Sequence, residues 1–492
     1  MITVNVSRFN KETDSEPYFE SYEIEKTQGM KLLDALQAIN EKYDADISFR
    51  SSCRAGQCGS CSVKYNGDGV LACQQEVEDN CKIEAANFPI IKDLIVDRSS
   101  VDEKVQNLHL SCQQKNSEDT LNETMPNSQL KDTKKVRSCI ECYSCLSSCP
   151  VVKYFEDEFG GPFYLRYLSK FNFDPRDIKD RLSESLEEGL YKCTSCGKCR
   201  EVCPKNINTF GDAIEKLRAI ACQEGKGPLP KHVAFKENII ETGRSVKGEG
   251  KSFIEEAGVE GKSKIALFTG CMVDKKLKHV GHALVNVLKK HGIEIDIPKE
   301  QVCCGSPLLR TGQIDIIQSL VDKNKEVFKD YDIVLTICAG CGSTLKNNHP
   351  EYGSKLNVMD ISEFLDDKLN LEDMKELDMT VTWHDPCHLY RGQGIETEPR
   401  DILKKIKGIN FVEMEKPNQC CGAGGGIKAG HPEIALKLST EKAKMIKDTG
   451  AEAVITICPF CQHNIQDGLN HEGLSDVKSM NILELLEKSY SD

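Results

Sequence analysis

The segment CIECYSCLSSCP, residues 139–150, decides how the rest of the chain is read, because a near copy, CTSCGKCREVCP, recurs at 193–204. Each run spaces four cysteines as C-x2-C-x2-C-x3-C and closes on proline. That is the spacing of a domain with two [4Fe–4S] clusters, in which the fourth cysteine of each run ligates the other cluster. One cluster then takes Cys139, Cys142, Cys145 and Cys203; the other takes Cys193, Cys196, Cys199 and Cys149. Pro150 and Pro204 turn the chain away. Zinc knuckles need no such interleaving.

Outward from these runs, 22 of the 25 cysteines fall into five blocks with cluster-ligand spacing. Upstream, SSCRAGQCGSCSVKYNGDGVLACQ (51–74) sets Cys53, Cys58 and Cys61 at C-x4-C-x2-C, with Cys73 following. This is the spacing of a [2Fe–2S] loop. Gly56 and Gly59 let backbone N–H groups turn toward sulfur without a Cβ clash. Cys81, Cys112 and Cys222 lie outside the patterns and read as packing residues.

Downstream, the chain repeats itself. IALFTGC (265–271) matches VTWHDPC (381–387), QVCCGSP (301–307) matches NQCCGAG (418–424), and YDIVLTICAGC (331–341) matches AEAVITICPFC (451–461). One copy offers Cys271, Cys303, Cys304, Cys338 and Cys341. The other offers Cys387, Cys420, Cys421, Cys458 and Cys461. Short Ile- and Val-rich runs alternate with helical stretches, which implies two α/β halves with parallel sheets. Five thiols are too many for one tetrahedral metal. Gly305 and Gly422 supply the turn that lets adjacent cysteines face one site. From the residues alone, each copy is a metal or dithiol site of unusual kind.

The fold class is therefore multidomain, α+β and α/β. Residues 1–105 open with alternating strands (ITVNVSRF, YFESYEIE) and a helix near Lys31–Tyr43, a small [2Fe–2S] unit. Residues 106–250 form a helical two-cluster domain. Residues 263–492 form the duplicated domain. The polar stretch 113–135 reads as a linker or a surface excursion, and GRSVKGEGKSFIEEAGVEGKSK (243–264) as a separator.

The net charge of −13 argues against a nucleic-acid partner. No apolar run is long enough to span a bilayer, and no signal-peptide core opens the chain. Cysteine-rich composition without a secretory signal points to metal chemistry in the cytosol rather than disulfides.

The double-cysteine repeat resembles the cysteine-rich CCG domain of heterodisulfide reductase. In that family each five-cysteine set holds a non-cubane [4Fe–4S] cluster, and the pair acts on the coenzyme M–coenzyme B disulfide. The first 240 residues resemble the iron–sulfur subunits of succinate dehydrogenase and fumarate reductase, in which SCRAGQCGSC forms the β-grasp [2Fe–2S] loop. One departure is the complete run Cys193–Cys203, which implies [4Fe–4S] where those subunits house [3Fe–4S]. The fusion of both parts resembles the iron–sulfur subunits of the methanogen thiol:fumarate reductases. The resemblance implies one [2Fe–2S], two [4Fe–4S] and two non-cubane [4Fe–4S] clusters, and a flavoprotein partner carrying FAD in a heterodimer. It implies that coenzyme M and coenzyme B thiols are oxidised while fumarate becomes succinate.

Both coenzymes are anionic, so the site should offer cations. Arg391, His388 and Lys428 are the candidates, against the plainer reading of each as a surface charge or cap. His384 and Asp385 read either as a proton relay or as turn residues. The alternative for the whole chain is an electron-transfer subunit of a succinate:quinone oxidoreductase-type complex with no thiol chemistry of its own.

Overall fold

The computed structural model describes residues 1–113, 127–128, 130–258, 261 and 263–490. The chain divides into two compact units. The first is Met1–Cys193 with Gly197–Leu217; the second is Arg218–Asp492 with Thr194–Cys196.

In the first unit, β1 (Ile2–Arg8) buries Val4 and Val6 completely and leaves Thr3 and Asn5 half-exposed. That alternation fits a strand with one face on a core. It pairs antiparallel with β2 (Tyr18–Ile24) and parallel with β5 (Cys81–Glu84). Strands β3 (Ser62–Tyr65) and β4 (Asp68–Leu71) form a hairpin closed by Asn66–Gly67, both at positive φ, the residue pair a two-residue hairpin turn favours. The sheet order is β2-β1-β5-β3-β4. The helix Leu32–Tyr43 buries Leu32, Leu33, Leu36 and Ile39 in the same core. This is the β-grasp arrangement expected. A small hairpin, β6 (Ile90–Lys92) and β7 (Ile95–Val96), flanks Asp93, whose carboxylate accepts from Arg8 Nε (3.0 Å) and from Phe9 and Ser48 backbone N–H (3.2 and 2.9 Å).

The rest of the first unit is built from short helices around the cysteine runs. Of the expected linker 113–135, residues 114–126 and 129 lie outside the described residues. Its basic end is not a linker but the helix Lys131–Val136, with Thr133 and Val136 buried. After the second cysteine run, Thr209–Glu215 is π-helical, capped by Asn208 accepting from Gly211 N–H, and continues as the α-helix Lys216–Gln223.

The second unit contains two parallel sheets that repeat one plan. In the first copy, β8 (Ile265–Phe268), β9 (Ile333–Thr336) and β10 (Val358–Asp360) lie in the order β10-β9-β8. In the second, β11 (Met379–Trp383), β12 (Ile409–Phe411), β13 (Ala453–Thr456) and β14 (Lys478–Asn481) lie in the order β12-β11-β13-β14. An isolated parallel bridge from Ala266 to Asp296 stands where β12 stands in the second copy. Strand β13 is buried at all four residues, as a parallel strand covered on both faces must be.

The stretch 243–264 is not a separator. Phe253 and Ile254 enter the core of the second unit, and a Ser252–Glu255 capping box starts the helix Phe253–Ala257. Only its polar composition is legible in the sequence; its five apolar residues, scattered among Gly and Lys, give no periodic signal.

Gly59 links loop to fold in the first unit. A Cβ there would lie 2.9 Å from the Cα of Cys142 and the carbonyl of Ile140, and φ is +69°. Gly29 has φ +73° with nothing nearby. Gly59→Ala should therefore lower the thermal midpoint of the anaerobically prepared protein more than Gly29→Ala does. The latter carries only the left-handed backbone cost of about 1–2 kcal/mol.

Candidate functional site

In the N-terminal loop, the backbone N–H groups of Ala55, Gln57 and Cys58 all point at Cys53 Sγ, at 3.4, 3.4 and 3.3 Å. Gly56 and Gly59 sit at positive φ on either side of Cys58. Cys61 and Cys73 are buried; Cys53 and Cys58 are exposed. A cradle of N–H donors around thiol sulfur suits an anionic metal–thiolate group. Cys81 is in the core of the sheet, and Cys222 Sγ–H donates to the Thr311 carbonyl at 3.5 Å. Cys112 is half-exposed.

In the helical part, Cys139 Sγ accepts from Glu141 N–H and Cys203 Sγ from Ile207 N–H, each at 3.4 Å. Burial pushes the Cys145 thiol well up, and the neighbouring Cys142, Cys199, Cys139 and Cys203 add to the shift. Four cysteines from two separate runs thus crowd Cys145, including three of the set assigned to one cluster from spacing.

In the second unit, all ten cysteines of the repeat line one cavity of about 620 Å³. The sequence puts them there by a simple device. Cys271 and Cys387 begin the helices that follow β8 and β11, and Cys338 and Cys458 are the cap residues of those that follow β9 and β13. The carboxyl ends of parallel strands, where helices begin, are the usual place for a site in this fold class. Gly305 (φ +85°) and Gly422 (φ +87°) make the expected turns, and their N–H groups donate to Cys303 Sγ (3.5 Å) and Cys420 Sγ (3.4 Å).

Hydrogen bonding between thiols repeats in the two copies. In the first copy Cys271 neighbours Cys303, and Cys304 contacts both Cys303 and Cys341, the last at 3.5 Å; in the second Cys420 contacts Cys196 as well as Cys387, and Cys421 contacts Cys461. The copies meet at Cys338 and Cys458. Neighbouring sulfurs hold Cys304 and Cys421 well below the ordinary thiol range, and push Cys341 and Cys461 well above it. So many thiols cannot ionise together without a cation among them. A soft, thiophilic metal fits this donor set.

The carbonyls of the double cysteines are tied down. His349 Nε2 donates to Cys304 O (2.9 Å), Asn324 Nδ2 to Cys303 O (3.3 Å) and Asn464 Nδ2 to Cys421 O (2.6 Å). Ser245 N–H donates to Cys271 Sγ at 3.4 Å. Its neighbour Arg244 pairs with Asp274 at 2.8 Å and donates to the Gln301 carbonyl. Sequence reasoning missed Arg244 and Ser245 because they lie in the supposed separator.

The polar candidates divide. Lys428 and His388 line the cavity; Arg391 does not. Arg391 instead donates to the Asn418 carbonyl (3.0 Å) and the Cys196 carbonyl (3.5 Å) and lies over the Tyr390 ring. Lys428 is paired with Asp467 at 2.6 Å. His388 Nε2 donates to the Ser195 carbonyl (3.1 Å), and burial, then Arg310, pull its pKa down to about 4. Asp385 is no relay partner. It accepts from Trp383 Nε1 (2.6 Å) and twice from Arg400 (3.0 and 2.7 Å), and is fully enclosed. His384 faces the cavity with Cys421 and Cys461. Lys276, Arg310 and His463 also line the cavity. They carried no motif and were invisible in sequence.

A family model for a 2Fe-2S iron-sulfur cluster binding domain matches residues 3–103, and one for a 4Fe-4S dicluster domain matches 135–207. A cysteine-rich domain model matches twice, at 265–346 and 381–466. The chain is 57% identical, over the full length of both, to a subunit of the fumarate reductase (CoM/CoB) of Methanothermobacter marburgensis. It is 34% identical to a subunit of the dihydromethanophenazine:CoB–CoM heterodisulfide reductase of Methanosarcina acetivorans, over 67% of this chain and 88% of that one. A hypothetical protein from Helicobacter pylori shares the fold, with TM-score 0.67 at 13% identity, covering 100% of this chain and 95% of that one.

An acid-sensitive contact lies behind the cavity wall at Gly426. His232 is fully buried, and its Nε2 donates to the Gly426 carbonyl at 2.9 Å. Burial lowers its pKa from 6.5 to about 4. The folded value is the lower one, so unfolding takes up a proton between these limits. This contribution is complete above pH 6.5 and is lost as pH falls toward 4. The loss reaches at most about 3 kcal/mol. Denaturant midpoints measured from pH 7 to 4.5 should fall less steeply in His232→Gln.

Proposed function

Since this chain belongs to the family of the fumarate reductase (CoM/CoB) subunit that it matches over its full length, we propose that it is the iron–sulfur subunit of an oxidoreductase coupling thiol oxidation to fumarate reduction. The observation that carries the proposal is that five cysteines from each copy converge on one cavity. Cys53, Cys58, Cys61 and Cys73 would hold a [2Fe–2S] cluster. Cys139, Cys142, Cys145 and Cys203 would hold one [4Fe–4S] cluster, and Cys149, Cys193, Cys196 and Cys199 another. Cys271, Cys303, Cys304, Cys338 and Cys341 would hold one non-cubane cluster, and Cys387, Cys420, Cys421, Cys458 and Cys461 its counterpart. When bound, such clusters supply one-electron redox chemistry and iron with affinity for sulfur.

The remaining work falls to the protein. Joining coenzyme M and coenzyme B as a heterodisulfide forms one S–S bond, and releases two electrons and two protons. The cavity is walled mainly by apolar atoms, which keeps water from the sulfurs. Lys428 and Lys276 on its wall would draw in the anionic ends of the two coenzymes. The clusters that the cysteines of 139–203 and 53–73 would hold supply one-electron chemistry suited to a flavoprotein partner carrying FAD, which reduces fumarate to succinate. A cytosolic heterodimer suits water-soluble substrates. No helix among the described residues is long and apolar enough to cross a membrane.

The test is anaerobic assay of the purified two-subunit complex. With coenzyme M and coenzyme B as the only donors, fumarate should be consumed and heterodisulfide should accumulate one for one. A complete cluster set gives about 18 irons per chain. Cys304→Ala and Cys421→Ala should each cut the thiol-driven rate about 100-fold or more, equivalent to about 2.7 kcal/mol. Fumarate reduction from an artificial donor should persist in both. Activity with a quinol but not with the thiols would replace this proposal with an electron-transfer subunit of a succinate:quinone oxidoreductase-type complex.

A further inference from the structure

His384 follows directly on β11 and is 1% exposed. A ring nitrogen of His384 and the sulfurs of Cys421 and Cys461 all lie within 4.8 Å of one another. Neither ring nitrogen has a well-aligned hydrogen-bond partner among the described residues; the imidazole's influence reaches the Cys421 thiol, which it helps to hold down. The backbone beside it is fixed, because its own N–H donates to Ile455 O (2.9 Å) and the adjacent Asp385 is locked by Arg400 and Trp383. A buried imidazole left without an aligned partner costs free energy unless something in the cavity accepts from it.

The first copy has no imidazole at the matching position. The match of IALFTGC with VTWHDPC sets Phe268 against His384. Phe268 is 1% exposed and packs on Phe328, with ring centroids 5.8 Å apart. Two halves that repeat their cysteines therefore differ at the residue beside the second member of the double cysteine.

We propose that His384 is a positioning residue that donates a ring N–H to ligand sulfur of the second-copy centre, at Cys421 or Cys461, and so makes the two centres of the cavity unequal in potential. This rests on the reading above, that both copies hold clusters. An N–H donated to sulfur withdraws charge from it and raises the reduction potential. The second-copy centre is then the better electron acceptor of the two, and electrons taken from the thiols collect there first.

The experiment is an anaerobic redox titration of the complex followed by EPR, with pulsed EPR for nitrogen coupling, on the unmodified protein, His384→Phe and His384→Gln. Phe copies the first half of the repeat; Gln keeps an N–H. In His384→Phe, one centre should become harder to reduce. Its reduced-to-oxidised ratio at fixed poise should fall about tenfold, or about 59 mV for a one-electron couple, while the other centre does not move. A weak nitrogen coupling should vanish with it. His384→Gln should shift the same centre by less. Unchanged titrations in both variants at full iron content would overturn the proposal, as would a strong coupling showing nitrogen bound directly to iron. Should His384→Phe fail to assemble, an unshifted His384→Gln without nitrogen coupling overturns it equally. Failure of the underlying reading looks different: the unmodified protein would then carry only about 10 irons per chain.

Discussion

Ten sulfurs around one cavity of about 620 Å³ set the condition that the rest of the second unit answers. Thiols at that density cannot all ionise, yet a thiol is a metal ligand only once it has lost its proton. The structure meets this in three ways. It puts cysteines where parallel strands end and helices begin, so that backbone dipoles favour the thiolate. It sets two cysteines side by side in each copy and follows them with Gly305 or Gly422, which bend the chain so that their N–H groups aim back at sulfur. It anchors the carbonyls of the double cysteines on His349, Asn324 and Asn464, so that the sulfurs keep their places whether or not they are charged.

The same logic runs on a smaller scale in the first unit. Three N–H groups converge on Cys53 Sγ, and the loop that carries them is seated on the β-grasp sheet by an Asn66–Gly67 hairpin and a close approach of Gly59 to Cys142. A side chain at that glycine would push two cysteine blocks apart. Glycine is used here for proximity as well as for its backbone angle.

Cysteine spacing was legible because ligand geometry is local: a loop of two or four residues between thiols has few ways to close on a metal. The parallel sheets were legible too, since β9 and β13 read as unbroken apolar runs. What spacing does not encode is the direction of a polar side chain several residues from the cysteines. Arg391 sits one turn beyond Cys387, yet its guanidinium goes to a backbone carbonyl. Asp385 adjoins His384, yet its carboxylate is claimed by Arg400 from the helix Thr397–Lys405. Arg244 and Ser245 were hidden by their Gly- and Lys-rich surroundings. In each case a long-range partner decides, and composition holds no record of it.

The two halves of the cavity repeat their cysteines and differ in what surrounds them. Both keep five cysteines and a glycine turn. Around them, the first half has Phe268, Thr269 and Met272 where the second has His384, Asp385 and His388. The first half supports its centre with an Arg244–Asp274 pair and a backbone N–H to Cys271; the second uses an Arg400–Asp385 pair and the fully buried Lys442, whose ammonium donates to the Lys416 carbonyl (2.5 Å). On the proposed function, joining two different thiols needs a site that tells them apart, and unequal surroundings for equal ligand sets would let one centre take an electron before the other.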